Sequence, residues 1–117
     1  MFAPAKNLTN VIVFVDDNKL QLCGPTAEVS GLTDIAGKFS AFGWDVINVE
    51  DGNDVAQILS AVEAAKANAD KPSVIILNTL KGNGYPFAEY VFNHNLPVSP
   101  ENASAARAAL EQYKASL

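Results

Sequence analysis

Three short, mainly apolar runs, each followed by a polar or glycine-rich turn, constrain the fold of this chain more than any other feature. They are Val11–Val15, Asp45–Val49 and Ser73–Leu77. Continuous apolar runs of this length are typical of strands buried on both faces of a parallel sheet. Parallel strands need crossover connections, and the segments between the runs are long enough for helices. The pattern therefore predicts an α/β fold of three layers, α/β/α, in which helices cover both faces of a short, mostly parallel sheet.

Helical spacing occurs in the segments between and after these runs. A helix is predicted from near Thr33 to Gly43, with apolar residues three and four positions apart and a glycine at its end. Asp54 and Gln57 form a capping-box pattern at the start of a second helix. A last helix is predicted from Ser99-Pro100, because proline is favoured at the first helical position.

The remaining segments carry weaker signals. Lys19–Leu22 alternates polar and apolar residues and is predicted to be a short edge strand, ended by a turn at Gly24–Thr26. Residues 1–10 and 85–98 are predicted to be irregular. The sequence shows no internal repeat, low-complexity tract or linker, so residues 1–117 are predicted to form a single α/β domain.

Composition argues against several classes of protein. Hydrophobic residues make up 49% of the 117 residues, so a packed core is expected. The net charge is −5 and no Lys/Arg cluster is present, which argues against nucleic-acid binding. The single cysteine, Cys23, cannot form an intrachain disulfide and fits a reducing cytoplasm. No apolar run approaches the about 18 residues that span a membrane, and residues 1–8 lack the apolar core of a signal peptide.

The polar turn Asp16–Asn18, which follows the first apolar run, is the first candidate for a site. Ligands of open α/β sheets bind outside the carboxyl ends of the strands. Carboxylate and amide oxygens are suitable ligands for a hard cation such as Mg²⁺. The alternative is a turn that only closes the strand, because Asp and Asn are ordinary turn residues. These residues alone leave both interpretations open.

Four blocks, taken together and in order, resemble the transketolase family of thiamine diphosphate enzymes. They are VDDNKLQLCGPT, AFGWDVINVEDGND, SVIILNT and LKGNGYPF, which cover residues from about 8 to 87. In the family, the second and fourth blocks resemble an aromatic-Gly-Trp with a DGHD turn and a KGKG loop. The resemblance implies part of a thiamine-diphosphate-binding domain that acts on sugar phosphates in the cytoplasm, within the pentose phosphate pathway.

The resemblance also implies roles for single residues. Asn18 matches the asparagine that binds Mg²⁺ through its side chain, and Leu20 matches the residue that offers its backbone carbonyl to the same ion. His94 lies near the position of a family histidine that contacts the diphosphate or the sugar, so it is the candidate catalytic and cofactor-binding histidine. The alternative for a lone histidine in a polar loop is a solvent-exposed side chain. At least one of Asp16 and Asp17 is expected to be structural.

Three other residues that the resemblance brings forward are expected to shape the protein rather than to react. Gly82 and Gly84 are expected to shape a loop near the cofactor cleft, because glycine permits positive φ. Trp44 is expected to pack at a helix-to-strand corner.

Several family features are absent from this sequence. The Gly-Asp-Gly motif, whose aspartate is a principal Mg²⁺ ligand, does not occur, and neither does the glutamate that activates the aminopyrimidine ring. Asn53 replaces the histidine of the DGHD turn, and Cys23 stands where aspartate is common. The chain therefore resembles the second half of a cofactor-binding domain.

Two functions remain compatible with these absences. The first is a fragment or split subunit of a transketolase, which contributes Mg²⁺ and diphosphate contacts to two-carbon ketol transfer and is inactive alone. Its partners would be chains that carry the Gly-Asp-Gly half and the pyrimidine-binding domain. The second is a non-catalytic α/β binding or interaction protein derived from that domain. Either way, a short sheet without its missing strands is expected to expose an apolar edge, and hence to self-associate or to pair with another chain.

Overall fold

The computed structural model describes residues 1–89, 95 and 97–116. The helices are α1 (Phe2–Ala5), α2 (Thr26–Val29), α3 (Ile35–Ala41), α4 (Val55–Ala67) and α5 (Pro100–Ser116), and the strands are β1 (Ile12–Asp16), β2 (Leu20–Gln21), β3 (Gly24–Pro25), β4 (Asp45–Val49) and β5 (Ser73–Leu77). Within these residues no helix is both long and apolar enough to cross a membrane.

The three apolar runs form one parallel sheet in the order β1-β5-β4. The strands are paired so that Asp16, Leu77 and Val49 lie side by side at their carboxyl ends. The loops that follow the three strands therefore leave the sheet along one edge. The predicted α/β fold with a short parallel sheet is confirmed.

Helices cover both faces of this sheet. On one face, Ala61 and Ala65 of α4 are buried against Val49 and Ile75. Side chains of consecutive strand residues point to opposite faces, so Ile76 lies on the other face. There it lines a cleft together with residues of α3, which packs beside β4. The central strand β5 is the most buried, with Val74 and Ile75 fully inaccessible to solvent, because β1 and β4 flank it and α4 packs against it.

The predicted strands agree closely with the observed ones. The second and third runs coincide with β4 and β5, whereas β1 begins and ends one residue later than Val11–Val15. The backbone N–H of Asp17 donates to the carbonyl of Leu77 at 2.9 Å. This bond continues the pairing of β1 with β5 beyond the apolar run, so the polar turn begins inside the sheet.

The predicted helices are also present, and their caps explain their bounds. The Asp34 carboxylate accepts from Gly37 N at 2.7 Å, so α3 begins at Ile35 rather than near Thr33. Asp54 caps α4 by accepting from Ala56 N at 2.8 Å.

In α4 the reciprocal bond of a capping box is not formed. Gln57 Oε1 instead accepts from the backbone N–H of Asp51 at 3.1 Å. The capping-box glutamine therefore ties the preceding turn to the helix.

The last helix begins where the sequence predicts. Ser99 caps it by accepting from Asn102 N at 3.1 Å. Hydrogen bonds from the backbone N–H of Glu101 and from the Ser99 hydroxyl lower the pKa of the Glu101 carboxyl. Ala106 is buried, but Leu110 and Tyr113 of the same apolar face remain exposed.

Three short segments differ from the predictions. Residues 1–10 contain α1, and the turn predicted at Gly24–Thr26 is β3 followed by the start of α2. The Lys19–Leu22 piece contains β2, which pairs with β3 rather than with the main sheet. The predicted irregular segment 85–98 is described only in part.

Strand β1 lies at an edge of the described sheet and is incompletely covered. The N–H of Asp17 points toward β5, and the polar groups of a strand alternate in direction, so those of Phe14 point away from β5. The Phe14 side chain, on the α4 face, is 50% exposed. Helix α4 contacts β4 and β5, which leaves this end of the apolar face open. The expected exposed edge is therefore present in the described residues.

Candidate functional site

A cleft of about 500 Å³ opens at the carboxyl ends of the strands. Its walls come from the loop after β1 (Asp17, Lys19), from the start of α3 and the residues before it, and from Asn78 at the end of β5. This is the position in which open α/β sheets bind ligands. Asp17 of the Asp16–Asn18 turn contributes to the wall of this cleft.

Residues 16–20, which run from the last residue of β1 to the first residue of β2, are called the strand-end loop here. Asn18 Oδ1 accepts from the backbone N–H of Leu20 at 2.9 Å, which folds the loop into a compact turn. Lys19, between them, has φ of +63°, a left-handed conformation that few non-glycine residues adopt. The turn brings the side chain of Asn18 next to the backbone of Leu20, the two groups proposed from sequence to share a cation.

Asn18 and Leu20 lie beside the cleft rather than in its wall. Both residues are half-buried, and the lining residues contributed by the strand-end loop are Asp17 and Lys19. The Asn18 side chain is not buried in the core. Its amide oxygen therefore lies at the edge of the sheet where the strands end.

The two aspartates of the strand-end loop are held by other residues. Asp16 accepts a hydrogen bond from the Thr79 hydroxyl, and Asp17 forms an ion pair with Lys19. The Asp17 side chain is only 14% exposed, whereas that of Lys19 is 60% exposed. Both carboxylates therefore contribute to the shape of the loop, consistent with the expectation that at least one is structural.

Residues 50–53, called the DG turn here, dock closely against the end of β5. Gly52 is buried, and its N–H donates to the carbonyl of Asn78 at 2.8 Å. A Cβ at Gly52 would lie 2.8 Å from both Leu77 Cβ and Thr79 Cγ2. No side chain fits there, because real Cβ atoms do not approach other atoms so closely.

Asn53, which the resemblance matches with the histidine of the DGHD turn, holds the next loop. Its Oδ1 accepts from the backbone N–H of Leu80 at 2.8 Å, and its own N–H donates to Asp51 Oδ1 at 2.9 Å. Gly82 and Gly84 of that next loop have φ of +79° and +83°, as expected for a loop shaped by glycines.

Sequence reasoning missed Asn78 as a site residue. It follows the central strand directly, lines the cleft, and accepts a hydrogen bond from Lys19 Nζ at 3.0 Å. A polar residue at the end of a buried apolar run was the available signal. The same signal marks the Asp16–Asn18 turn after the first strand.

Other candidate residues can be placed only in part. Trp44 packs edge-on against Phe39 with ring centroids 5.5 Å apart, which confirms its packing role. Cys23 is exposed. His94 lies outside the described residues, so its proposed contact with diphosphate or sugar stays a prediction.

The residues of the strand-end loop fit part of a magnesium site. Mg²⁺ requires a near-octahedral set of oxygen ligands. In the regions that the structure describes, no three His, Cys, Asp or Glu side chains are grouped to hold a metal. The Asn18 oxygen retains a lone pair beside the one used by Leu20 N–H, and the Leu20 carbonyl is a second oxygen in the same turn. The loop can supply two oxygens, and diphosphate, water or another chain would have to supply the others.

Comparison with known proteins gives a consistent result. The family model "Transketolase, thiamine diphosphate binding domain" matches residues 1–114. A 6-deoxy-6-sulfo-D-fructose transketolase subunit from Clostridium sp. strain MSTE9 is 43% identical over 113 residues, which are 96% of this chain and 41% of the relative. An apulose-4-phosphate transketolase subunit from Phocaeicola vulgatus is 30% identical over 109 residues, 92% of this chain and 38% of the relative.

The solved structures agree with the sequence relatives. A transketolase from Campylobacter jejuni superposes with a TM-score of 0.82 at 27% identity, covering 91% of this chain and 16% of that protein. The chain thus spans less than half the length of each of these three relatives.

Proposed function

This chain belongs to the family of transketolase thiamine diphosphate binding domains, and from that premise we propose that it is a fragment or split subunit of a transketolase. In this proposal it contributes Mg²⁺ and diphosphate contacts to the transfer of a two-carbon ketol unit between sugar phosphates. The single observation that supports it best is the strand-end loop, whose Asn18 oxygen and Leu20 backbone meet beside a cleft at the carboxyl ends of the strands.

Each proposed role belongs to a named group. Asn18 Oδ1 and the Leu20 carbonyl bind Mg²⁺, which in turn orients the diphosphate. His94 contacts the diphosphate or the sugar and is the candidate catalytic residue. Thiamine diphosphate, when bound, supplies the nucleophilic carbon of the reaction, while the protein supplies orientation and electrostatics.

Partner chains are part of the proposal, because the loop provides too few oxygens for a complete magnesium site. The two curated relatives are named as transketolase subunits, and this chain covers 41% and 38% of them. We propose that chains with the Gly-Asp-Gly half and the pyrimidine-binding domain complete the site in the cytoplasm. The exposed edge of β1 offers backbone groups and an apolar side chain to such a chain.

Cofactor binding by the isolated chain is expected to be undetectable at micromolar concentrations. Two oxygens from one loop leave Mg²⁺ under-coordinated, so its affinity should be poor. Isothermal titration calorimetry, in which thiamine diphosphate is added to the chain in the presence of Mg²⁺, measures this binding directly. Mixing with the proper partner chains should restore both binding and ketol transfer. Micromolar binding by the chain alone would contradict the need for partners, and an inert mixture would contradict the split transketolase.

Self-association through the β1 edge is expected when no partner is present. Sedimentation velocity at rising concentration should show oligomers, because an uncovered strand edge and the 50% exposed Phe14 favour pairing. Phe14→Ser should shift the chain toward monomer. Phe42→Ser is the matched control, since Phe42 is 48% exposed but follows α3. A monomer at every concentration, or equal effects of the two variants, would show that the β1 edge does not mediate self-association.

A second function, a non-catalytic α/β binding or interaction protein, is favoured by one observation. These 117 residues contain no Gly-Asp-Gly motif, whose aspartate is the family's principal Mg²⁺ ligand. The two functions differ in what neighbouring genes should encode. A neighbouring reading frame that encodes the missing half would support the split enzyme, and its absence would support the binding protein.

A further inference from the structure

Asn78 uses all of its hydrogen-bonding groups at the junction of three strand ends. Its backbone N–H and its side-chain Nδ2 donate to the carbonyl of Val49, at 3.2 and 2.8 Å. Its carbonyl accepts from Gly52 N at 2.8 Å, and its Oδ1 accepts from Lys19 Nζ at 3.0 Å. The Asn78 side chain thereby joins the end of β4 to the strand-end loop, and its backbone carbonyl holds the DG turn.

Lys19 transmits this contact to the strand-end loop. Its ammonium group also pairs with the Asp17 carboxylate, and its carbonyl accepts from Thr26 N at 2.9 Å. Its left-handed φ of +63° turns the chain between Asn18 and Leu20. With both its side chain and its carbonyl fixed, the neighbouring Asn18 amide and Leu20 carbonyl have a defined direction.

We propose that Asn78 is a positioning residue, which holds the Asn18 oxygen and the Leu20 carbonyl in place by anchoring Lys19. An amide suits this role because it donates at one end, to Val49, and accepts at the other, from Lys19. A carboxylate in its place keeps the acceptor for Lys19 but loses the donor, and leucine loses both. The link to metal binding rests on the proposed function, whereas the anchoring itself can be tested without any metal.

Amide hydrogen exchange of the whole chain tests the anchoring. The reporters are the backbone N–H groups of Leu20 and Thr26, whose acceptors are Asn18 Oδ1 and the Lys19 carbonyl. Asn78→Leu and Lys19→Met should each raise their exchange rates roughly two- to fivefold, the effect expected from losing a solvent-exposed contact of a charged group. Asn78→Asp should have a smaller effect, because it retains the acceptor for Lys19.

The double variant Lys19→Met/Asn78→Leu separates positioning from general structure. If Asn78 acts through Lys19, the double variant should exchange no faster than the faster single variant, because coupled residues are not additive. The backbone amides of β5 and α4 should remain protected from hydrogen exchange. The control is Asn68→Leu, because Asn68 Nδ2 lies 3.4 Å from Ser73 Oγ at the opposite end of β5. This variant should leave the exchange of Leu20 and Thr26 unchanged.

Several outcomes would overturn the proposal. They are unchanged exchange at Leu20 in Asn78→Leu, additive effects in the double variant, or faster exchange throughout the sheet. If Asn78→Leu does not fold, the exchange rates of Lys19→Met decide whether the anchoring exists. This variant should fold, since the Lys19 side chain is 60% exposed.

A further measurement in the completed complex keeps this proposal distinct from the proposed function. Asn78→Leu should weaken the apparent affinity for Mg²⁺ roughly tenfold, as is usual for groups that orient a metal ligand. An unchanged affinity would overturn the positioning of a metal ligand. Absence of Mg²⁺-dependent activity in the unmodified complex would instead contradict the proposed function, while leaving the anchoring measured by exchange intact.

Discussion

Replacing Gly52 with alanine is expected to lower the free energy of unfolding by about 3 kcal/mol, at the upper end of the cost of overpacking. The added Cβ would lie 2.8 Å from Leu77 Cβ and from Thr79 Cγ2, and 3.0 Å from the carbonyl carbon of Asn78. Three such contacts cannot be relieved unless the DG turn moves away from β5. That movement also breaks the bond from Gly52 N to the Asn78 carbonyl. Urea denaturation measures the loss as a lower midpoint.

The control for this substitution is Gly31→Ala. Gly31 has φ of +59°, and a Cβ there meets no atom within 4 Å. Gly31→Ala should therefore lower the free energy of unfolding only by the backbone strain of a left-handed residue, about 1 kcal/mol. Gly52→Ala should also shift the backbone NMR signals of Asn78 and Leu80, which Gly31→Ala should leave in place. Equal losses of stability with unmoved signals at Asn78 would mean that the close packing of the DG turn is unimportant.

The strands of this fold could be predicted because their signal is local. The runs Asp45–Val49 and Ser73–Leu77 are mainly apolar or β-branched and are bounded by residues that turn the chain, so their bounds coincide with β4 and β5. The first run was predicted one residue early. Its later end follows from Asp17, whose N–H pairs with the Leu77 carbonyl across the sheet. Side-chain polarity cannot reveal a backbone pairing between residues so distant in sequence.

The short helices could not be predicted for a different reason. Helices α1 and α2 contain four residues each, about one turn, and one turn is too short for apolar periodicity to be recognised. Helices α3 and α4 are long enough to show apolar periodicity, and α4 also showed its cap at Asp54, whereas the Asp34 cap of α3 was not predicted.

The candidate site also has a part with a local sequence signal and a part without one. The polar turn after β1 and the glycine-shaped loop after β5 are visible as residue types in sequence. The contacts that join them are long-range, such as Lys19 with Asn78 and Asn53 with Leu80. They depend on which strand ends lie side by side, and thus on the β1-β5-β4 order. The resemblance supplied roles for Asn18 and Leu20 but not for the residues that hold them.

In a complex completed by the chains that carry the missing half and the pyrimidine-binding domain, Asn18→Ala is expected to remove most ketol transfer at limiting Mg²⁺. The substitution deletes an oxygen proposed to bind the ion directly. The apparent Mg²⁺ affinity should fall by at least the roughly 10- to 100-fold that loss of a supporting group alone causes. Activity measured against Mg²⁺ concentration should recover in part when the ion is in excess.

Two controls make this result specific. Asn18→Asp keeps an oxygen at the same place, both for the cation and for Leu20 N, and should retain more activity than alanine. Asn83→Ala removes an exposed amide from the loop after β5 and should leave the Mg²⁺ dependence unchanged. Alanine at position 18 also releases Leu20 N–H, so the isolated variant should show faster exchange at that amide without loss of the sheet. If Asn18→Ala and Asn83→Ala are equally active at every Mg²⁺ concentration, the strand-end loop does not bind the metal, and the non-catalytic interaction protein becomes the better description of this chain.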